Sequence, residues 1–283
     1  DVLGSRGLGD VYKRQVMYKA VFLDLDGTLL TDDKKVSEEN KKAIKYVQSK
    51  GGIACICSGR QKDAVKAYKE MAGCDKYIIC SNGTQIYDCE KDEELFSCNL
   101  ERSICNTLAN YVIENNFYIR IETSYCRYVN SKDYFVKYEI ILDNNEELFE
   151  IIKENNILQV TIGTKTEEDM KKVIEFIENL RRTDIKIENV YPPDEHAAKA
   201  WSANIINKNA SKGNAIHGLC KYLKIDIEDV IAMGDDSNDI SMMKTVGLGV
   251  AMGNAGDDVK KYAKEIAKTN MENGVAEILY NKF

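Results

Sequence analysis

Apolar residues first gather in a run of four, Ala20 to Leu23, with no polar residue among them. A short run that is apolar at every position predicts a parallel strand buried on both faces. Runs of the same kind recur at Ile53 to Cys57, Tyr77 to Cys80, Val230 to Met233 and Leu248 to Met252. Between them the period lengthens. Ser37 stands before a stretch in which Ala43, Ile44 and Val47 share one helical face, closed by Gly51 or Gly52. Ala64, Val65, Tyr68 and Met71 mark a second helix, Lys212 to Leu223 a third, and a capped helix follows Asn273. Strands alternating with helices predict an α/β fold with a doubly wound, Rossmann-like parallel sheet and right-handed crossovers.

After Gly83 the rhythm breaks. Gln85 to Tyr87, Tyr118 to Glu122, Arg127 to Asn130, Leu158 to Gly163 and Ile185 to Val190 read as hairpin strands. Glu101 to Asn115 and Glu167 to Leu180 read as helices. The expected organisation is a core formed by 17–83 and 201–283, interrupted by an α+β module over 84–200. The only two prolines, Pro192 and Pro193, fall near the far end of that module and mark an expected hinge.

Composition narrows the class. The chain has 283 residues, of which 44% are hydrophobic and 30% charged, as in a globular protein of one or two domains. No apolar run approaches the length of a membrane span. The net charge of −7 and the lack of a basic stripe argue against nucleic acid as a partner. Nine cysteines, an odd number without CxxC pairs, predict reduced and mostly buried thiols in a cytoplasmic protein. Residues 1–16 have no apolar core and no periodicity, and are expected to be a disordered remnant ahead of a native start at Met17. The expected assembly is a monomer or weak homodimer.

Asp24 and Asp26 stand two apart where the first strand runs out, and like charges at that spacing call for a cation or a proton between them. Ser58-Gly59-Arg60 and Gly234-Asp235-Asp236-Ser237-Asn238-Asp239 also follow strands, and Ser211-Lys212-Gly213 opens a helix leaning over the same edge. In open α/β sheets the carboxyl ends of the strands form the ligand crevice. Carboxylates without histidine suit a hard cation such as Mg²⁺, while a hydroxyl, an ammonium and loop amides suit phosphate oxygens.

In this order and spacing the four stretches resemble the haloacid dehalogenase-like phosphatases, in particular the Cof-type group with a type-2 cap. The resemblance runs over 17–283 and includes Gly247-Leu248-Gly249-Val250-Ala251-Met252-Gly253-Asn254-Ala255 and Asn273-Gly274-Val275-Ala276. It implies that Asp24 is the nucleophile, forming an aspartyl-phosphate. Asp26 is implied as general acid and then base. Mg²⁺ would be held by Asp24, Asp235 and the backbone carbonyl of Asp26, with Asp239 as a metal-water or outer ligand. Phosphate oxygens would meet Ser58, Asn238, Lys212 and the amides of Gly59 and Leu25. Thr28 reads either as a turn cap or as a support through its hydroxyl, Asp236 as a solvated loop residue, and Arg60 as a helix-start or surface partner rather than a phosphate ligand. Asn82-Gly83 reads either as a plain turn or as the lead into the cap, near substrate. His217 is expected to be packed and structural, His196 non-catalytic, and Trp201 and the cap tyrosines packing residues.

Two departures from the family's pattern stand out. Asn204-Ile205-Ile206-Asn207 occupies a stretch where relatives commonly carry an acidic residue, and Ile240-Ser241 replaces a frequent proline. The implied activity is Mg²⁺-dependent hydrolysis of a small phosphorylated metabolite, sugar phosphates first, then nucleotide-like or vitamin phosphates. A sugar phosphomutase-type phosphotransferase is the alternative; a metabolite-binding regulator without activity would be expected to lack Asp24 or Asp26, and both are present.

Overall fold

The computed structural model describes residues 18–134, 139–193 and 199–283; the leader, and His196 with its neighbours, lie outside them. The chain begins with β1 (Ala20–Leu23), α1 (Glu38–Ser49), β2 (Ile53–Cys57), α2 (Lys62–Ala72), β3 (Tyr77–Cys80), β4 (Gln85–Asp88) and β5 (Glu93–Ser97). It continues through α3 (Arg102–Glu114), β6 (Tyr118–Thr123), β7 (Arg127–Val129), β8 (Ile140–Ile141), α4 (Asn145–Glu154), β9 (Ile157–Thr164), α5 (Glu167–Asn179), β10 (Ile185–Tyr191) and β11 (Trp201–Asn207). It ends with α6 (Lys212–Leu223), β12 (Val230–Gly234), α7 (Ile240–Thr245), β13 (Leu248–Ala251), α8 (Asp257–Lys260), β14 (Glu265–Ile266) and α9 (Gly274–Lys282).

Two sheets result. The first has the order β14-β13-β12-β1-β2-β3-β4-β5, parallel from β14 to β3 and antiparallel across β4 and β5. Its inner parallel strands, β13, β12, β1, β2 and β3, are apolar throughout because both faces are covered, while the edge strand β14 carries Glu265 and an exposed Ile266. Val21, Leu23, Ala54 and Ile56 face one cluster with α1 and α9, while Ala20, Phe22, Cys55 and Cys57 face another with α6 and Met242. The Ser37 hydroxyl accepts the amide of Asn40 at 3.1 Å, so α1 starts where its cap requires. Asn273 instead sits at φ 59° and makes no side-chain cap bond to α9.

The second sheet has the order β10-β11-β9-β6-β7-β8. Ile119, Ile121, Val160, Ile162, Ala203 and Ile205 pack on α3, α4 and α5. The alternate residues on these strands, among them Arg120, Glu122, Gln159, Thr161 and Asn204, form a polar face. Period-two alternation thus builds a module with one dry and one wet side. Trp201 packs on the dry cluster, as expected.

Sheet membership moves both expected boundaries of the module. Gln85–Asp88 pairs with Tyr77–Cys80, so β4 and β5 extend the first sheet rather than opening the insert. Trp201–Asn207 pairs with Ile157–Thr164 and Ile185–Tyr191, so β11 closes the second sheet rather than resuming the first. Pro192 and Pro193 accordingly lie between two strands of the same sheet, not at a crossing. The two crossings themselves meet: the Asn207 side-chain amide donates to the Asn99 carbonyl at 2.8 Å.

The cysteines Cys55, Cys57, Cys74, Cys80, Cys105 and Cys220 are buried, and burial pushes the Cys74 thiol up to about 12. His217 departs from expectation, since it lies on an exposed position of α6. Among the described residues, no helix is long and apolar enough to cross a membrane.

Candidate active site

Three parallel strands end side by side and deliver the first carboxylates and the serine. The amide of Asp24 still donates to the Met233 carbonyl at 3.0 Å, so Asp24 continues the β1–β12 pairing by one residue. Beyond it the chain makes one wide turn, in which the amides of Leu29 and Leu30 donate to the carbonyls of Asp24 and Leu25 at 3.2 and 2.9 Å. Gly27 carries this turn at φ +76°, and a Cβ there would lie 2.1 Å from an Asp235 carboxylate oxygen. Only glycine satisfies both demands. Thr28 then donates to Asp235 Oδ1 at 2.8 Å, the supporting role expected of its hydroxyl.

Lys212 is the electrostatic centre. Its side chain is 1% exposed, and its Nζ lies 2.6 Å from Asp24 Oδ1 and 2.5 Å from Asp239 Oδ1. Burial opposes its charge, yet the Asp239 and Asp24 carboxylates hold its pKa above the ordinary lysine value. Burial, with Asp239 adding repulsion, raises Asp24 above the usual carboxylate range despite that lysine. Burial likewise takes Asp235 up to about 6. Asp239 spends its other oxygen on the amides of Asp235 and Asp236, at 3.0 and 3.1 Å. It therefore orders the lysine and the loop.

Asp24, Asp235 and Asp239 bring one carboxylate oxygen each within 4.8 Å of one another. Carboxylate oxygens alone, with no nitrogen or sulfur donor among them, fit a hard divalent cation. Since both Asp239 oxygens are engaged, Asp24 and Asp235 are the pair that fits direct ligation.

Asp26 has a different setting. Burial disfavours its ionisation, but hydrogen bonds from Arg60 and Lys34 bring it down to about 2. Arg60 grips it through Nε and a terminal nitrogen at 2.6 and 2.7 Å, and Lys34 Nζ lies at 2.7 Å. Arg60 was expected at a helix start or as a surface partner. It is instead the clamp on the second aspartate, over a separation of 34 residues that no local pattern reports.

Ser58 is buried beside this pair, and its Oγ accepts the Arg60 amide at 3.2 Å. Asn238 donates to Asn82 Oδ1 at 3.1 Å, and a Cβ on Gly59 would press 2.7 Å from that same oxygen. Asn82-Gly83 is thus more than a turn, because Gly83 at φ +86° also packs where a Cβ would lie 2.2 Å from the Ser211 carbonyl. Leu25 lies in the turn with its side chain in the apolar core. Asp236 is exposed, and its carboxylate accepts the Ser237 amide at 2.6 Å.

A cleft of about 250 Å³ joins these groups to the wet face of the second sheet. Asp24, Asp26, Ser58, Gly59, Arg60, Asn82, Asp236 and Asn238 form its floor, and Arg120, Arg127, Gln159, Tyr191 and Asn204 its roof. Of the roof residues, Arg120, Arg127 and Gln159 were not among the site positions expected from the sequence, Tyr191 was expected to pack, and Asn204 was noted only as a departure from the family's pattern. Their signal was present in the alternation Arg120/Glu122 and Gln159/Thr161, polar at every second place in strands otherwise apolar.

The haloacid dehalogenase-like hydrolase family matches residues 21–279. The chain belongs to that family. It is 31% identical over 271 residues to the 5-amino-6-(5-phospho-D-ribitylamino)uracil phosphatase YcsE of Bacillus subtilis, covering 95% of this chain and 97% of that one. The phosphatase YwpJ of Bacillus subtilis is 28% identical, with 92% and 98% covered. A solved haloacid dehalogenase-like hydrolase from Bacteroides thetaiotaomicron superposes with a TM-score of 0.78 at 25% identity, covering 94% of this chain and all of that one. This haloacid dehalogenase-like phosphatase therefore has the expected fold class, a Rossmann-like core with an inserted cap.

Proposed function

We propose that the protein is a Mg²⁺-dependent phosphomonoesterase for polyhydroxylated metabolites, the group that includes sugar phosphates, and works through an aspartyl-phosphate. The observation that carries this is the buried trio Asp24, Lys212 and Asp239 at the mouth of β1, with Asp235 alongside. Mg²⁺, held by Asp24, Asp235 and the Asp26 carbonyl, would supply positive charge that lets an anionic carboxylate approach an anionic phosphate.

The protein's own groups supply the rest. Asp24 Oδ attacks phosphorus, the ester oxygen departs with its electron pair, and Asp26 gives that oxygen a proton. Asp26 then takes a proton from the water that opens the acyl phosphate. Because Arg60 and Lys34 hold Asp26 ionised, its acid role requires that clamp to loosen when substrate enters. Lys212 faces the transferring group, while Ser58, Asn238 and the amides of Leu25 and Gly59 bind its oxygens. Arg127, Gln159 and Asn204 in the roof offer donors and acceptors to a hydroxylated leaving group. The named substrate of the 31%-identical relative, a phosphorylated ribityl chain, belongs to this group of esters.

Phosphate release from a panel of phosphorylated metabolites with Mg²⁺ tests the proposal. Free inorganic phosphate is the expected product; an isomerised sugar phosphate would assign a phosphotransferase instead. A second expectation concerns the metal. In chelator, the folded protein keeps protons on Asp24 and Asp235 that the unfolded chain, with ordinary carboxylates, has already released. Their stabilisation is present below the ordinary carboxylate pKa and is lost as pH rises through the raised values, about 6 for Asp235. Mg²⁺ takes the place of those protons, so the gain in Tm on adding it grows between about pH 5 and about pH 8. A gain that is flat across that range, or absent, removes Asp24 and Asp235 as the ligands.

A further inference from the structure

Away from the two crossings, the β6–β7 hairpin leans on the core. Glu122 and Arg127 stand opposite each other on its strands, and Arg127 Nε donates to Glu122 Oε2 at 2.9 Å. The other carboxylate oxygen accepts the hydroxyl of Ser81, which belongs to the core. Three groups in line therefore lead from the core, through a carboxylate only 2% exposed, to a guanidinium in the roof of the cleft. Among the described residues, no hydrogen bond occupies the terminal nitrogens of Arg127, and these are the donors it has left for a bound ester.

The Ser81 end of this line is the fixed one. Ser81, Asn82 and Gly83 follow one another at φ 47°, 56° and 86°, and only the last is a residue that takes such a backbone freely. A turn of this kind persists where its surroundings over-determine it. Here the amides of Ser81 and Asn82 donate to the carbonyls of Arg60 and Ser58 at 2.8 and 3.2 Å, Asn82 is held by Asn238, and Gly83 packs on Ser211. The core thus presents the Ser81 hydroxyl at one place, and the cap comes to it. A buried carboxylate needs a partner on each oxygen. With one oxygen of Glu122 set by Ser81, the other is aimed, and so is the guanidinium it holds. A second clasp on the same hairpin is built the other way round and gives a comparison. Ser124 donates to Glu94 at 2.5 Å, on the oxygen that also accepts from Gln85 at 2.7 Å. No member of that clasp lines the cleft.

We propose that Ser81 is a positioning residue for recognition of the leaving group, acting through Glu122 to aim Arg127 at the cleft. The proposal rests on the phosphatase reading above and deepens it. The test measures kcat and KM, by phosphate release, for ribitol 5-phosphate, glucose 6-phosphate and phenyl phosphate, the last with no acceptor on its leaving group beyond the ester oxygen. Ser81→Ala is expected to lower kcat/KM for at least one of the two hydroxylated esters by about ten-fold, the worth of a hydrogen bond to a charged group. The loss should fall in KM, with kcat kept, because the contact is made in ground and transition state alike. Phenyl phosphate should be nearly unaffected, as should all three esters in Ser124→Ala. In an Arg127→Gln background, Ser81→Ala should cost nothing further, since the two changes act on one contact. Parallel losses on all three esters, an equal loss in Ser124→Ala, or additive losses in the double variant overturn the proposal. So does a parent that takes phenyl phosphate and neither hydroxylated ester. If no ester is hydrolysed, the phosphatase reading falls, and the line of contacts is read by NMR of the arginine side chains instead. The Arg127 Nε–H resonance should shift in Ser81→Ala and stay in place in Ser124→Ala; a resonance that Ser81→Ala leaves unmoved overturns the positioning role.

Discussion

Asp24→Asn is expected to abolish turnover and to leave no protein-bound phosphate after acid quench, while Asp26→Asn keeps a residue of both. The two aspartates sit two apart but in opposite environments. Asp24 faces Lys212 and lies beside Asp235 and Asp239 at the strand end, and Asp26 turns outward to Arg60 and Lys34. An amide at Asp24 has no nucleophilic oxygen of comparable reactivity, and no neighbour replaces it. At Asp26 only proton transfer is lost, worth on the order of 10²–10⁴ in rate. Esters with acidic leaving groups, which depart without a proton, should suffer least from Asp26→Asn. Near-normal turnover by Asp24→Asn would dispose of the covalent mechanism. An Asp26→Asn defect equal for acidic and basic leaving groups would dispose of its acid role.

Lys212→Met should damage both stability and chemistry. The ammonium is the cation that separates Asp24 from Asp239, and all three are buried. Removing one partner of a buried charge cluster costs about 3–5 kcal/mol, because the remaining charges are left uncompensated. If Lys212 faces the phosphoryl oxygens as proposed, loss of that preorganised positive group costs a further factor of about 10²–10³ in kcat. Urea unfolding without metal reads the first effect and phosphate release the second. The two separate in the double variant: adding Asp239→Asn to Lys212→Met removes one orphaned carboxylate and should recover part of the urea midpoint, with activity still absent. A single variant as stable as the parent, or a double variant no more stable than the single, would show that the lysine does not hold the carboxylates apart.

The candidate site residues at the strand ends and at the start of α6 were legible because each lies next to a local signal. Asp24, Ser58 and Asp235 follow runs apolar at every position, and such runs end where a parallel sheet opens to ligand. Lys212 follows Ser211, whose hydroxyl caps α6 at the Asn214 amide. What stayed hidden depends on partners far away in the chain. Arg60 gave no sign of Asp26, and Ser81 gave none of Glu122, whose carboxylate its hydroxyl reaches across the two modules. Alternation marked 85–87 as extended, but alternation does not record which sheet a strand joins, and the strand at 201–207 was not anticipated; pairing partners place both. His217 was read from apolar neighbours in sequence, whereas α6 turns that position outward. The helix at 145–154 was passed over, although Asn144 caps it at the Glu147 amide with 2.9 Å.

The meeting of Asn99 and Asn207 has a consequence for how such a protein can change over time. More than a hundred residues depart from the core and return to the same point, so the core needs nothing from them to fix its own strand ends. To the core, that excursion is equivalent to a short surface loop. Long insertions are tolerated at such places, because the ends already lie together and closure costs rise only slowly with length. The lid can therefore be lengthened, rebuilt or exchanged for another of unrelated design, and the chemistry beneath it is inherited unaltered.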